Sequence, residues 1–202
     1  MANNVGIIFD CTWCDYCEYI QSTEHMKEFK NLIILGPLIY AIHHYEEHVI
    51  FNFREWRLKY FLDNNAIATE EVLIRLISIL LIVVFIHLIK KNRGSAHVIL
   101  FFLMTTQVIN AFFHIFFSFY FADFSPGAIT AVLLYLPVNY LIFKTAFTEG
   151  YLKSNLELFL LFLAGATTFA LFELVGPKVI GFTIILMPFY YVFINKIESA
   201  QS

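Results

Sequence analysis

Six stretches of this chain are apolar and long enough to cross, or nearly cross, a lipid bilayer, and this restricts the fold more than any other feature. They cover roughly residues 32–53, 72–89, 96–121, 128–147, 156–175 and 180–194. A crossing helix needs about 20 mostly apolar residues, and a backbone in hydrocarbon must satisfy its own hydrogen bonds. The expected fold is therefore all-α, a polytopic transmembrane helical bundle of six spans. Five is the alternative, because the first stretch is the least apolar and the last is short. Composition agrees. Only 14% of the 202 residues are charged, against about 25% in an ordinary soluble domain.

Polar breaks separate the stretches: Asp63-Asn64-Asn65, the run from Lys90 to Ser95, Ser125-Pro126-Gly127, Gly150 to Asn155, and Gly176-Pro177. Ser95 is the expected N-cap of the third span. No repeat or low-complexity linker divides the chain. The expected organisation is an extra-membrane segment over 1–31, one helical bundle over 32–195 and a tail over 196–202. The first thirty residues carry Asp10, Asp15, Glu18, Glu24 and Glu28 rather than a basic start. The first apolar span is thus expected to serve as its own insertion signal. With six spans, eight Lys and Arg fall on one side and five on the other. The positive-inside rule then places both termini in the cytoplasm, in a multi-pass protein of a bacterial-type cytoplasmic membrane. The net charge of -3 and the lack of a long basic run exclude a nucleic-acid partner.

Cys11, Cys14 and Cys17 are spaced three apart, on one face if the segment is helical. They read as free or acylated thiols beside the membrane, or as a thiolate metal site with His25 as a fourth ligand. An iron–sulfur cluster would want a fourth cysteine.

The chemistry concentrates elsewhere. The first stretch contains His43-His44-Tyr45-Glu46-Glu47-His48 between apolar flanks. An ionisable side chain inside a membrane costs roughly 2.5–3.5 kcal/mol on insertion scales, so partners must offset it. A helical residue turns by about 100°, which puts Glu46 and Glu47 on either side of the His43 direction, on one face. His44 and His48, four apart, form a neighbouring pair. Imidazole with carboxylate suits zinc, iron or manganese.

The third stretch carries Asn110 and His114, four apart, among Ile109, Phe112, Phe113, Ile115, Phe116 and Phe117. Two polar groups on one stripe of such a helix should face the bundle interior. If the second stretch crosses the membrane, the first and third run parallel, and both polar sets lie at similar depth. The turn at Pro126 and Gly127, and Thr130 after it, follow on that side.

These residues carry a resemblance. His43-x-x-Glu46-Glu47, Asn110-Ala111-x-x-His114 and Phe124-x-Pro126-Gly127-x-x-Thr130 are similar, in order and chemistry, to the three motifs of the HXXEE-domain membrane family. The resemblance covers roughly residues 32–147. The family's third motif usually opens with Tyr, where Phe124 stands here. The resemblance implies an enzymatic role for this residue set without naming a reaction. An adjacent Glu pair with a distant His is also similar to intramembrane CAAX-type proteases, but those place an Arg where Phe51 stands.

The leading expectation is a metal-dependent membrane enzyme of hydrolase type. His43, His114 and one of Glu46 and Glu47 would hold a divalent metal, with water in an open position. The other glutamate would serve as general acid or base, and Asn110 would donate to an oxyanion. His44, His48, Pro126, Gly127 and Thr130 are expected to support the ligands or meet a lipid-like or membrane-borne substrate. Structural hydrogen bonding alone would return only about 0.6 kcal/mol per bond in a membrane, little against two buried carboxylates. The alternatives are an ion- or proton-coupled transporter and a haem protein using His43 and His114. His87 and His97 read as bonded to neighbouring helices or set at the interface. Arg54, Trp56, Arg57 and Lys59 read as an interfacial anchor, or as a cradle for an anionic headgroup.

Overall fold

The computed structural model describes residues 28–63 and 68–201. The Cys11, Cys14 and Cys17 triplet and His25 lie outside the described residues. Among the described residues the fold is helical throughout, without strands. Its elements are α1 (Phe29–Leu32), α2 (Leu35–Tyr45, continued by a π turn, Glu46–Ile50), α3 (Phe53–Tyr60), α4 (Thr69–Lys90), α5 (Arg93–Tyr120), α6 (Ala128–Thr148), α7 (Asn155–Val175) and α8 (Lys178–Gln201). Among the described residues, helices α4 to α8 are the five long and apolar enough to cross a membrane.

The first apolar stretch breaks where its sequence requires. Pro37 has no N–H to give the Ile33 carbonyl, so the chain turns after α1 and restarts as α2. Helix α2 holds 11 residues and its π turn five, short of the roughly 20 that span a bilayer. It stops at Phe51, whose N–H closes the last π bond on the Glu46 carbonyl (2.9 Å). Asn52 then caps α3 through Oδ1, which accepts from the Glu55 N–H.

The last stretch is longer than its apolar run suggests, because α8 extends to 24 residues. Its polar residues find partners on α5 and on the turn before it. The Asn92 amide donates to the Tyr191 hydroxyl (2.8 Å), the Gly94 N–H donates to Asn195 Oδ1 (2.9 Å), and the Tyr190 hydroxyl pairs with His97 Nδ1 (3.0 Å). Helix α5 also begins earlier than expected, capped by Asn92 rather than Ser95, whose N–H is the donor to that cap.

Helix α5 is the axis of the bundle. The share of buried residues in its apolar window is 61%, against 28% or less for the other four. Two polar clamps fix its neighbours. At its N-terminal end buried Arg93 donates to Glu157 Oε1 (2.5 Å) and to the Tyr151 carbonyl (3.1 Å). His97 Nε2 meets the same carbonyl (2.9 Å), and His87 Nδ1 pairs with the Ser95 hydroxyl (2.8 Å). In the middle, the Gln107 amide donates to the Gly36 carbonyl of α2 (2.9 Å), while its oxygen accepts from Asn139 of α6 (2.8 Å). These bonds set the relative height of α2, α5 and α6.

Each of those three helices carries a π turn: Glu46–Ile50, Met104–Ile109 and Ala131–Tyr135. Such bulges need something to occupy the displaced carbonyls. In α5 the Thr105 and Thr106 hydroxyls donate to the carbonyls of Phe101 and Phe102, both at 2.9 Å. In α6 Pro137, two residues past the bulge, lacks the N–H that would bind the Leu133 carbonyl.

The α5–α8 crossing depends on a missing side chain. A Cβ at Gly94 would lie 2.6 Å from the Asn195 side chain and 2.7 Å from the Tyr191 carbonyl. One at Gly181 would meet nothing within 4 Å. Gly94→Ala is expected to destabilise the detergent-solubilised protein by about 1–3 kcal/mol. Gly181→Ala should be neutral or stabilising by up to about 1 kcal/mol. Thermal unfolding followed by circular dichroism checks this, and equal midpoints would refute the close crossing.

Candidate metal centre

The three π turns surround one buried cluster at the end of the bundle where α2 and α5 finish and α6 begins. Glu47 lies within the first turn, Asn110 follows the second, and Thr130 and Tyr135 flank or close the third. His43 and His114 are fully buried, and Glu47 nearly so.

The Glu47 carboxylate is the hub. Its Oε1 lies 3.3 Å from His43 Nε2 and 2.9 Å from His114 Nε2. Its Oε2 lies 2.7 Å from His44 Nδ1 and 3.7 Å from His48 Nε2. One side chain thus joins four imidazoles, three from its own helix and one from α5.

Both buried imidazoles are fixed from behind. His43 Nδ1 pairs with the Thr130 hydroxyl (2.8 Å), which also donates to the Gly127 carbonyl (3.3 Å). A hydroxyl donating there is left to accept from Nδ1–H, so Nε2 of His43 carries a lone pair. His114 Nδ1 pairs with the Ser125 hydroxyl (2.9 Å), and the Ser118 hydroxyl accepts from the Ser125 N–H (3.0 Å). Such partners select the tautomer and orientation of a ligating imidazole. The His43 ring also packs on the Tyr135 ring, with centroids 4.2 Å apart.

Three observations test whether these residues fit a metal ion. First, His114 Nε2 and both nitrogens of His44 are buried without a hydrogen bond of acceptable geometry, despite the nearby carboxylate. Second, the donor spacings of 2.9 and 3.3 Å fall within the roughly 2.8–3.6 Å between adjacent ligands of an ion bound at about 2.0–2.2 Å, from octahedral to tetrahedral angles. Third, Gly127 leaves room where a side chain would intrude. A Cβ there would stand 2.8 Å from His43 Cε1, 2.9 Å from Glu47 Cγ and 3.1 Å from His114 Cε1. Its φ of +94° is also one that favours glycine. The donors of His43, Glu47 and His114 lie within 4.8 Å of one another, as do those of His44, Glu47 and His48. Both are nitrogen–oxygen sets able to hold a divalent metal.

A model of a family of unknown function, proteins with an HXXEE motif, matches residues 34–142. The chain belongs to this family. His43, Glu46 and Glu47 form its HXXEE motif. No curated protein and no solved structure matches the chain.

Glu46 does not join the cluster expected of it. Its carboxylate accepts the backbone N–H groups of Thr130 (2.7 Å) and Ile129 (3.2 Å) at the start of α6. It therefore caps that helix, and its charge sits at the positive end of the helix dipole. The reason is rotational: the two glutamates project to opposite sides of the His43 direction, and only Glu47 points at α5. Asn110 Nδ2 reaches His43 Nε2 at 3.1 Å. Pro126 is buried in the turn between Ser125 and Gly127. Phe124, where the family motif usually has Tyr, is 46% exposed and packs on Phe51 rather than on the cluster.

Helix α3 covers the centre. Phe53 packs on His114, with ring centroids 5.4 Å apart, and Trp56 is buried. Arg57, expected as an interfacial anchor, is buried instead, with Nε and Nη2 bonded to Glu173 Oε2 at 3.3 and 3.0 Å. A guanidinium with a carboxylate partner on α7 is better satisfied inside than at a headgroup. Tyr60 donates to Asp123 (2.9 Å), and that bond raises the phenol above its ordinary pKa.

Beside the cluster lies a cavity of about 170 Å³. On the side of the cluster its polar wall is His44, Glu47, His48 and Asn110; Arg57 and Glu173 also line it, and its apolar lining includes Phe101, Phe169 and Met187. His43 and His114 do not reach it.

Sequence reasoning gave no role to Ser118, Ser125 or Tyr135. Ser125 was visible as the residue before Pro126-Gly127, but a serine hydroxyl has no spacing signature for a partner on another helix. Gly127→Ala is expected to destabilise the protein by about 1–3 kcal/mol through the crowding of both imidazoles and the glutamate. A thermal midpoint at or above that of the wild type would disprove the close approach.

Proposed function

We propose that this protein is a membrane-embedded, metal-dependent enzyme of hydrolase type, acting on a lipid-like or membrane-borne substrate. The observation that carries the reading is the meeting of His43, Glu47 and His114 around one buried point, with Thr130 and Ser125 already holding the far side of each imidazole.

His43, His114 and Glu47 Oε1 are the ligands in this reading. Zinc, iron and manganese all suit imidazole and carboxylate. A divalent metal held there supplies Lewis acidity and lowers the pKa of water beside it toward about 7.

The protein's own groups shape the rest. Asn110 Nδ2 lies 3.1 Å from His43 Nε2 and Asn110 borders the cavity; with the Nε2 lone pair on an ion, that amide would be released toward an incoming substrate. An N–H at that position can donate to an oxygen that gains charge during acyl or phosphoryl transfer. Glu46, locked on the amides of Ile129 and Thr130, is not available as the acid–base partner the sequence suggested. It fixes α6, and with it Thr130, against α2. The cavity is mostly apolar beyond its polar wall, which favours a substrate with a hydrocarbon or other apolar body. A haem between His43 and His114 does not fit this space, since even a methyl group on Gly127 would lie 2.8 Å from one ring and 3.1 Å from the other.

Protein purified without chelator is expected to carry divalent metal, and the His43→Ala, His114→Ala double variant to lose it. Equal, substoichiometric metal in both, by inductively coupled plasma mass spectrometry, would end this reading. Thr130→Val removes the partner of His43 Nδ1 while keeping the volume. It should weaken metal affinity by about 10–100-fold, measured by competition with a chelating dye. Unchanged affinity would remove Thr130 from the ligand-orienting role.

A further inference from the structure

We infer that the centre takes two ions, with Glu47 bridging them and His44 and His48 holding the second one at the cavity wall. This rests on the metal-dependent reading above and deepens it.

The geometry of Glu47 is the starting point. Its two oxygens face two separate imidazole pairs: Oε1 faces His43 and His114, and Oε2 faces His44 and His48. A carboxylate oxygen carries two lone pairs, so Oε2 can meet an ion as well as a hydrogen-bond donor. Here two imidazole nitrogens converge on it from one side, at 2.7 and 3.7 Å. These lie just either side of the roughly 2.8–3.6 Å that separates adjacent ligands of one ion, so an ion there would need both rings to shift slightly.

The second pair is also built as a chelate. His44 and His48 are four apart on one helix, the spacing by which two helical histidines grip a metal. Helix α2 passes into its π turn between them, and their rings are nearly parallel, at 5° with centroids 5.6 Å apart. His44 Nδ1 has the Glu47 carboxylate at 2.7 Å, its Nε2 is buried without a hydrogen bond, and the Tyr40 ring packs against His44 at 4.3 Å. A buried imidazole nitrogen without a hydrogen bond is costly unless it has another partner.

Access separates the two positions. The side chains of His43 and His114 are 0% exposed, while those of His44 and His48 are 15% and 25% exposed. His44, His48 and Glu47 line the cavity, whereas His43 and His114 do not. Closed positions suit structural ions, and catalytic ones keep an open place. The outer position is therefore the one that meets substrate, and the inner one fixes the bridge. A pair of ions sharing a carboxylate, one closed and one open to the cavity, would present water on the open one. Such a pair acidifies water without a carboxylate base, and Glu46 is not available as one.

The test counts ions on the full chain in detergent. Purified protein is stripped, loaded with zinc alone, freed of excess by gel filtration and assayed for metal per chain. Wild type is expected to hold two, and the His44→Ala, His48→Ala variant one, a twofold loss. One ion in the wild type, kept in that variant, overturns the second position and leaves the inner centre standing. One ion, lost in that variant but kept in His43→Ala, His114→Ala, overturns the bridged pair and the inner centre together. No ion in the wild type ends the metal-dependent reading itself. The His44→Gln, His48→Gln variant repeats the count should the alanine pair elute as aggregate. Wild-type protein loaded with manganese needs no variant: a spin-coupled electron paramagnetic resonance spectrum is expected at two equivalents, and two isolated six-line signals would overturn the bridge.

Discussion

The structure depends on a single buried carboxylate. Glu47 sits inside an apolar bundle with His43, His44 and His48 from its own helix and His114 from α5. Removing one partner from a buried charge costs about 3–5 kcal/mol, because the charge left behind has no water to turn to. The packing of α2 against α5 is therefore tied to this one group. Hydrophobic contact could not set that arrangement, since lipid tails are as apolar as the helix faces they would replace.

Everything around Glu47 serves to hold it in register. The Gln107 amide spans from Gly36 on α2 to Asn139 on α6 and fixes the height of three helices at mid-bundle. The three π turns then alter the phase of those same helices as they approach the centre. A π turn costs regular hydrogen bonding, and such turns concentrate at functional sites, where a side chain must be aimed away from the regular helical path. Glu46 completes the arrangement by joining the end of α2 to the start of α6. The opposite end of the bundle, closed by Arg93, His97 and Glu157, holds no such cluster of ligand atoms among the described residues. Its carbonyl and carboxylate acceptors are filled by guanidinium and imidazole donors, so it works as a fastener.

Much of the centre was legible in the chain. Intramembrane His and Glu are costly enough that His43, Glu47 and His114 had to meet, and the parallel course of the first and third stretches put them at one depth. The division of labour between the glutamates was not legible. Glu46 and Glu47 differ by one position, and both lie within the same helical face. Only the placement of α6 decides that one meets backbone amides and the other imidazoles. His44 and His48 were likewise ambiguous, because a pair on a neighbouring face can look at lipid or at a cavity.

The sequence by itself determined that the chain folds as helices long and apolar enough to cross a membrane, and which polar residues could not be left alone among them. Both follow from local chemistry: apolar length, a fixed turn per residue and the cost of charge in hydrocarbon. Tertiary structure decided that five helices among the described residues are long and apolar enough to cross a membrane, because Pro37 and the π turn shorten the first stretch and the partners of Asn195 and Tyr191 lengthen the last. It also decided which oxygen of Glu47 faces which histidines. That choice belongs to no helix alone; it comes from the angle at which three bulged helices converge on a glycine without a side chain.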